Sequence, residues 1–151
     1  MKTVVTNRSA RRDYDISETY EAGLVLTGSE VKSLRAGQAD LKDSYGVIRG
    51  GEAWLVGFYI APYAQAREGG HEPERVRKLL LHRREIERIG SMLSERGLTL
   101  IPAKVFFRDG IAKVELLLGR GKPRYDKRRA MQEDEQRREM ERALRHRGRR
   151  T

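Results

Sequence analysis

Residues 19–45, TYEAGLVLTGSEVKSLRAGQADLKDSY, constrain the fold more than any other stretch, because strand, short helix and strand follow one another directly. Tyr20, Ala22, Leu24 and Leu26 alternate with Glu21, Gly23, Val25 and Thr27, the period of two of a strand. Thr27 stands three residues before Glu30, so its hydroxyl can accept the Glu30 amide while the carboxylate reaches back to the Thr27 amide. Val31 and Leu34 share one face of the helix that this box starts, and Gly37 supplies the left-handed residue that stops it. A second strand is expected from Asp40.

The flanking segments read as more short strands. Residues 1–12 are polar and basic, with Arg8, Arg11 and Arg12 close together, and are expected as a loose arm. Tyr14 and Ile16 open a strand that bends near Ser17 into the central stretch. Gly50-Gly51 marks a tight turn, and residues 53–60, with Trp54, Phe58 and Tyr59, form the returning strand. Residues 62–77 hold Gly69-Gly70, Pro73 and many charges, and are expected as an exposed loop. After the apolar run Leu79-Leu80-Leu81, residues 82–96 read as a helix with Ile86, Ile89 and Leu93 on one face, closed by Gly97. Residues 98–107 and 111–118 form a hairpin about Asp109-Gly110, with Ala112, Val114, Leu116 and Leu118 on one side and Lys113 and Glu115 on the other. Such strands, with helices in two connections, point to an all-β fold. The expected form is a small closed antiparallel barrel with two or three short flanking helices, since closure removes exposed strand edges.

Charge changes the picture at the C-terminus. The chain has 151 residues, enough for one domain with a core, and carries 32 Lys and Arg against 22 Asp and Glu, a net charge of +10. Residues 122–151 hold twelve of the bases and six of the acids. Their few apolar residues, Ala130, Met131, Met140, Ala143 and Leu144, are too few to offset the entropy of ordering. Yet Glu133 and Arg137, Asp134 and Arg138, and Glu141 and Arg145 stand at helical i,i+4 spacing. The chain therefore divides into a folded body, residues 1–121, and a basic tail, residues 122–151, expected to be disordered in the free protein and helical on an anionic surface.

The excess of positive charge favours a polyanionic partner. Cysteine is absent, which excludes disulfides, thiolate metal sites and a cysteine nucleophile. The N-terminal residues lack the apolar segment of a secretory signal, so the cytoplasm is the expected location. His71, His82 and His146 have no metal-ligand spacing and read as solvated surface residues. GRGK at residues 119–122 lacks the rest of a phosphate-binding loop. Asp13, Asp15, Asp40 and Asp43 read as solubilising or turn residues rather than metal ligands. No enzymatic activity, metal or cofactor is expected. Basic residues interleaved with aromatics are what structured or single-stranded RNA requires, and Arg8, Arg11, Arg12, Lys113 and the GRGKPRYDKRR run supply them. Arg75, Arg77 and Lys78 read as a wetted face. Trp54, Phe106 and Phe107 are assigned to the core.

Several segments together, NRSARRDYDISETYEAGLVLTGSEVKSLRAGQADLKDSY, RKLLLHRREI, GLTLIPAKVFFRDGIAKVEL and GRGKPRYDKR, closely resemble the small protein B family, the tmRNA-binding proteins of bacterial ribosome rescue. The resemblance runs from about Asn7 to Arg129. It implies a barrel related to the OB fold and binding to the tRNA-like domain of tmRNA. It further implies delivery of alanyl-tmRNA, with elongation factor Tu and GTP, to stalled ribosomes. The tail would form a helix in the empty messenger channel beyond the small-subunit decoding centre. The RNA-contact positions of the family fall on Asn7, Arg8, Arg11, Glu21, Leu80 and Lys113. Glu21, an acid on a basic surface, would accept from base or ribose donors or orient a neighbouring arginine; Leu80 would shape the surface or serve structure alone. Gly121, Lys122, Tyr125, Asp126, Lys127 and Arg128 match the tail motif that serves accommodation in the ribosome.

Three positions depart from the family pattern. Ser9 stands where a base is usual, Pro123 replaces a common lysine, and Tyr125 occupies a position that is histidine in some relatives. Rival readings are a general structured-RNA or ribosome-binding assembly protein, a nucleic-acid enzyme on a similar barrel, and a peripheral membrane protein. The last lacks bulky apolar residues in the tail. A monomer with no membrane partner is expected.

Overall fold

A computed structural model describes residues 1–63 and 70–148. Residues 64–69 of the expected loop, and residues 149–151 of the tail, lie outside the described residues, as does the side chain of His146.

The alternation in the central stretch becomes β2, Tyr14–Leu24, whose register slips between Ile16 and Glu18, where the bend at Ser17 was expected. Thr27 and Glu30 form the reciprocal capping box that starts α2, Gly28–Arg35, and Gly37 follows it with φ 74°. A two-residue strand β3, Ala39–Asp40, then leads to β4, Tyr45–Arg49, which turns at Gly50-Gly51 into β5, Glu52–Val56. The single returning strand expected to Ile60 is broken at Gly57. Its φ of 78° suits only glycine without strain, and it redirects the chain into β6, Tyr59–Ile60, which pairs with β3. Then come β7, Arg77–Leu80, α3, Arg83–Glu95, and the long hairpin of β8, Thr99–Arg108, with β9, Ile111–Gly121.

Residues 1–12 are not a loose arm. They form β1, Lys2–Thr6, antiparallel to the outer end of β8, and the short helix α1, Ala10–Asp13. Val4 and Val5 pack on the core, and the β1–β8 ladder satisfies the backbone of a stretch whose side chains alone gave no strand signal.

The larger sheet has seven antiparallel strands in the order β1-β8-β4-β5-β7-β2-β9, and β9 pairs again with β8. The pairings from β8 through β4, β5, β7, β2 and β9 therefore return to their start. The link between β4 and β8 rests on Gly46 opposite Leu100, and that between β7 and β2 on Gly23 and Leu24 opposite Leu80 and Leu79. The inward residues Ala22, Leu24, Ala53, Leu55, Leu79, Leu100, Val105, Phe107, Val114, Leu116 and Leu118 form one core, extended by Leu34 of α2 and Ile89 of α3. A smaller cluster, Ala10, Ile101, Ala103 and Leu117, lies where α1 covers the outer side of the sheet.

Arg77 overturns the expectation of a wetted loop. It begins β7, is wholly buried, and pairs with Glu30, which is wholly buried too. Arg75, partly exposed, pairs with the same carboxylate at 2.6 Å. A buried cation needs such a partner, and the acid that caps α2 provides it. One histidine read as solvated is also engaged: His71 Nδ1 lies 2.9 Å from Ser29 Oγ and its Nε2 3.0 Å from the Ile60 carbonyl. His82, at the start of α3, is exposed as expected.

The tail, expected to be disordered in the free protein, is α4, Arg124–Gly148. Arg129–Glu133 and Asp134 with Arg137 and Arg138 tie successive turns, and the helix packs against α1. No described helix is long and apolar enough to cross a membrane.

Candidate nucleic-acid interface

Register explains why the residues singled out by the sequence meet. Gly23 of β2 stands opposite Leu80 of β7 on one side and Lys113 of β9 on the other. Two residues back along β2, Glu21 stands opposite Glu115, which faces Lys104 of β8. Successive side chains point to opposite faces, so Glu21, Lys113, Glu115, Lys104 and Phe106 share the outer face, while Ala22, Val114 and Val105 point into the core. Leu80 is 53% exposed, although Leu79 beside it is fully buried.

At the α1 end, Asn7 donates its amide to Ala103 O at 2.7 Å and its side-chain Nδ2 to Pro102 O at 3.2 Å, which clamps the entry to α1 onto β8. Ser9 donates its hydroxyl to Asn7 Oδ1 at 3.1 Å, so the residue that departs from the family pattern steadies Asn7. Arg8 projects from this turn and Arg11 from α1. Arg11 pairs with Glu115, whose second oxygen lies 3.6 Å from Lys104 Nζ.

Two depressions connect these groups. A cleft of about 1290 Å³ is walled on one side by Asn7, Arg8, Arg11 and Lys104 and on the other by α4, which contributes Asp134, Arg138 and Arg142 among others. A smaller one of about 360 Å³ continues from Arg11, Lys104 and Glu115 to Glu21, Phe106 and Arg108. Arg11, Lys104 and Glu115 line both. Asn7, Arg8, Arg11 and Glu21 thus lie along one continuous surface, and Leu80 and Lys113 adjoin it through Gly23.

The tail motif lies elsewhere. Gly121 pairs with Tyr14 at the far end of β2, about 30 Å from Gly23 at the usual rise per residue. Lys122 donates its amide to the Asp13 carbonyl at 2.8 Å, and Lys127 Nζ lies 5.9 Å from the centre of the Tyr14 ring. Tyr125 is 77% exposed; Asp126 and Arg128 are exposed as well.

Lys104, Glu115, Phe106 and Arg108 escaped the sequence reading as interface residues. Alternation about Asp109-Gly110 could have placed Lys104, Phe106 and Arg108 on the outer face, but the strand order that sets them beside Glu21 has no local signal. Phe106 was assigned to the core. It is buried, but on the outer side, under Lys104 and Arg108, whose charged groups lie 5.7 and 5.2 Å from its ring centre. Among the described residues no cluster of His, Cys, Asp and Glu could hold a metal ion.

A charged outer sheet face flanked by a long basic helix defines a small β protein suited to a polyanionic partner. Residues 4–146 match the family model described as SmpB protein, and the chain belongs to that family. It is 54% identical over 143 residues to an SsrA-binding protein of Sulfurihydrogenibium sp. (strain YO3AOP1), covering 95% of this chain and 94% of the relative. It is 55% identical over 146 residues to the SsrA-binding protein of Thermobifida fusca (strain YX), covering 97% and 91%. A solved structure described as "tmRNA-SmpB: a journey to the center of the bacterial ribosome" matches with a TM-score of 0.67 and 47% identity, over 84% of this chain and 93% of that one.

Proposed function

We propose that this chain binds the tRNA-like domain of tmRNA and helps deliver alanyl-tmRNA, with elongation factor Tu and GTP, to ribosomes stalled without a sense codon, so that the nascent peptide is tagged. The observation that carries the reading is the meeting of Asn7, Arg8, Arg11, Glu21, Leu80 and Lys113 on one surface, although they come from five separate elements or turns. Arginine and lysine there neutralise phosphates, Leu80 meets an apolar base face, and Asn7 holds the arginine-bearing turn in place.

The body, residues 1–121, acts as a closed barrel related to the OB fold; the ring of strand pairings supports this. The tail, residues 122–151, enters the empty messenger channel beyond the decoding centre. Gly121, Lys122, Tyr125, Asp126, Lys127 and Arg128 serve accommodation there, and the helical state of α4 favours that role. The protein works as a cytoplasmic monomer without catalysis.

Binding of the full chain and of a version ending at Gly121 to the tRNA-like domain, against an unrelated hairpin and across salt, tests the reading. Log affinity should fall by about 0.7–0.9 per phosphate contact per decade of salt. Selective binding kept by the shortened chain supports recognition by the body. Equal binding of both RNAs, lost with the tail, leaves only a general structured-RNA binder.

A further inference from the structure

An acid on a basic RNA surface needs a reason, and the structure supplies one for Glu21. Its two oxygens accept from Arg108 Nη1 at 2.7 and 2.8 Å. The Arg108 guanidinium lies 5.2 Å from the centre of the Phe106 ring, and Phe106 is itself buried, 2% exposed. One nitrogen of the guanidinium is thus held by both oxygens of a carboxylate, and the group lies over an aromatic ring. The side chain is still 46% exposed.

We propose that Arg108 is an RNA-contact residue, a stacking platform for one unpaired nucleotide, and that Glu21 and Phe106 are the positioning residues that hold it in place. This deepens the proposed tmRNA binding and rests on it. The guanidinium is planar, stacks on flat π systems and keeps N–H donors free for phosphate. A lysine has the charge without the plane. The depression beside it, about 360 Å³, falls within the range of pockets that take small organic ligands. Its rim carries Arg11 and Lys104 for the phosphates on either side of the nucleotide, and Glu115 as an acceptor for base or ribose donors. An exposed ion pair adds little to stability, so holding Arg108 in this pose has more value for binding than for folding.

The test measures binding to the tRNA-like domain by the wild type, Arg108→Ala, Arg108→Lys, Glu21→Gln, and the double variant Arg108→Ala with Glu21→Gln. Melting temperatures equal to that of the wild type establish that each variant is folded. Arg108→Ala is expected to weaken binding about tenfold, the scale of one stacked base. Arg108→Lys should keep the salt slope of the wild type and still bind several-fold more weakly. Glu21→Gln should weaken binding in the wild type and have no further effect once Arg108 is alanine. Full affinity in the alanine or lysine variant, or effects of the two sites that simply add, would overturn the platform. A wild type that does not prefer the tRNA-like domain to a hairpin would instead overturn the functional reading beneath it. The two failures are therefore distinct.

Discussion

Glu30 is fully buried and still charged. Burial pushes its carboxyl up, but hydrogen bonds from Arg75, the Thr27 amide and Arg77 outweigh this and hold it at about 2, against an ordinary 4.5. Because the folded value lies below the unfolded one, the stabilisation is complete above about pH 4.5 and is lost as pH falls toward 2. At neutral pH it is worth about 3 kcal/mol. Urea unfolding at pH 5 and pH 3 measures the loss. Glu30→Gln should cost about 3–5 kcal/mol at pH 7, since Arg77 is left buried without its partner, and should flatten the decline between those two pH values. Gly119 is a second sensitive position: a Cβ there would stand 2.3 Å from the Asp15 carbonyl oxygen, which belongs to the paired strand and has no rotamer to give way. Gly119→Ala should lower stability by about 1–3 kcal/mol, read as a fall in melting temperature. Tyr125, exposed and away from the sheet face, should behave in the opposite way. Tyr125→Ala is expected to spare affinity for the tRNA-like domain and to impair peptide tagging on stalled ribosomes; unimpaired tagging would remove it from the tail's role.

Among the elements, those with complete local signals were legible. α2 has its capping box, α3 its apolar face and closing glycine, and the β8–β9 hairpin its Asp109-Gly110 turn with positive φ at both residues. β1 and β7 were not legible. β1 has two half-buried valines and a strand only because the outer end of β8 offers it hydrogen bonds; β7 begins with an arginine that composition assigns to solvent. α4 lies between these cases. Its ion pairs are readable as spacing, but each contributes only about 0.2–0.5 kcal/mol. Asp134 accepts from Arg137 at 2.6 Å and lies 3.2 Å from Arg138, so Asp134→Asn should reduce the helical ellipticity at 222 nm in low salt. In high salt, where such pairs are screened, variant and wild type should converge. A difference that persists would mean that packing on α1, rather than charge, sustains the helix.

At the scale of the molecule, α4 forms one wall of the cleft that contains Asn7, Arg8 and Arg11, so an RNA backbone bound there as proposed would share its approach with the tail. Ending the chain at Gly121 should leave affinity for the tRNA-like domain equal or raise it a few-fold, while tagging is lost. A marked fall in affinity would make α4 part of the RNA site. The sequence by itself determined the basic surface, the capped helices, the hairpin turns and the inward alternation of β2 and β9, because each follows from residues within a few positions of one another. Family membership was legible for the same reason, in contiguous blocks. Only the tertiary structure decided that Glu30 receives Arg77 from 47 residues away, that residues 1–12 complete a sheet edge, and that Glu21 of β2 meets Arg108 of β8 across β9. These pairings depend on strand order and on burial shared between distant segments, and neither leaves a periodic trace in the chain.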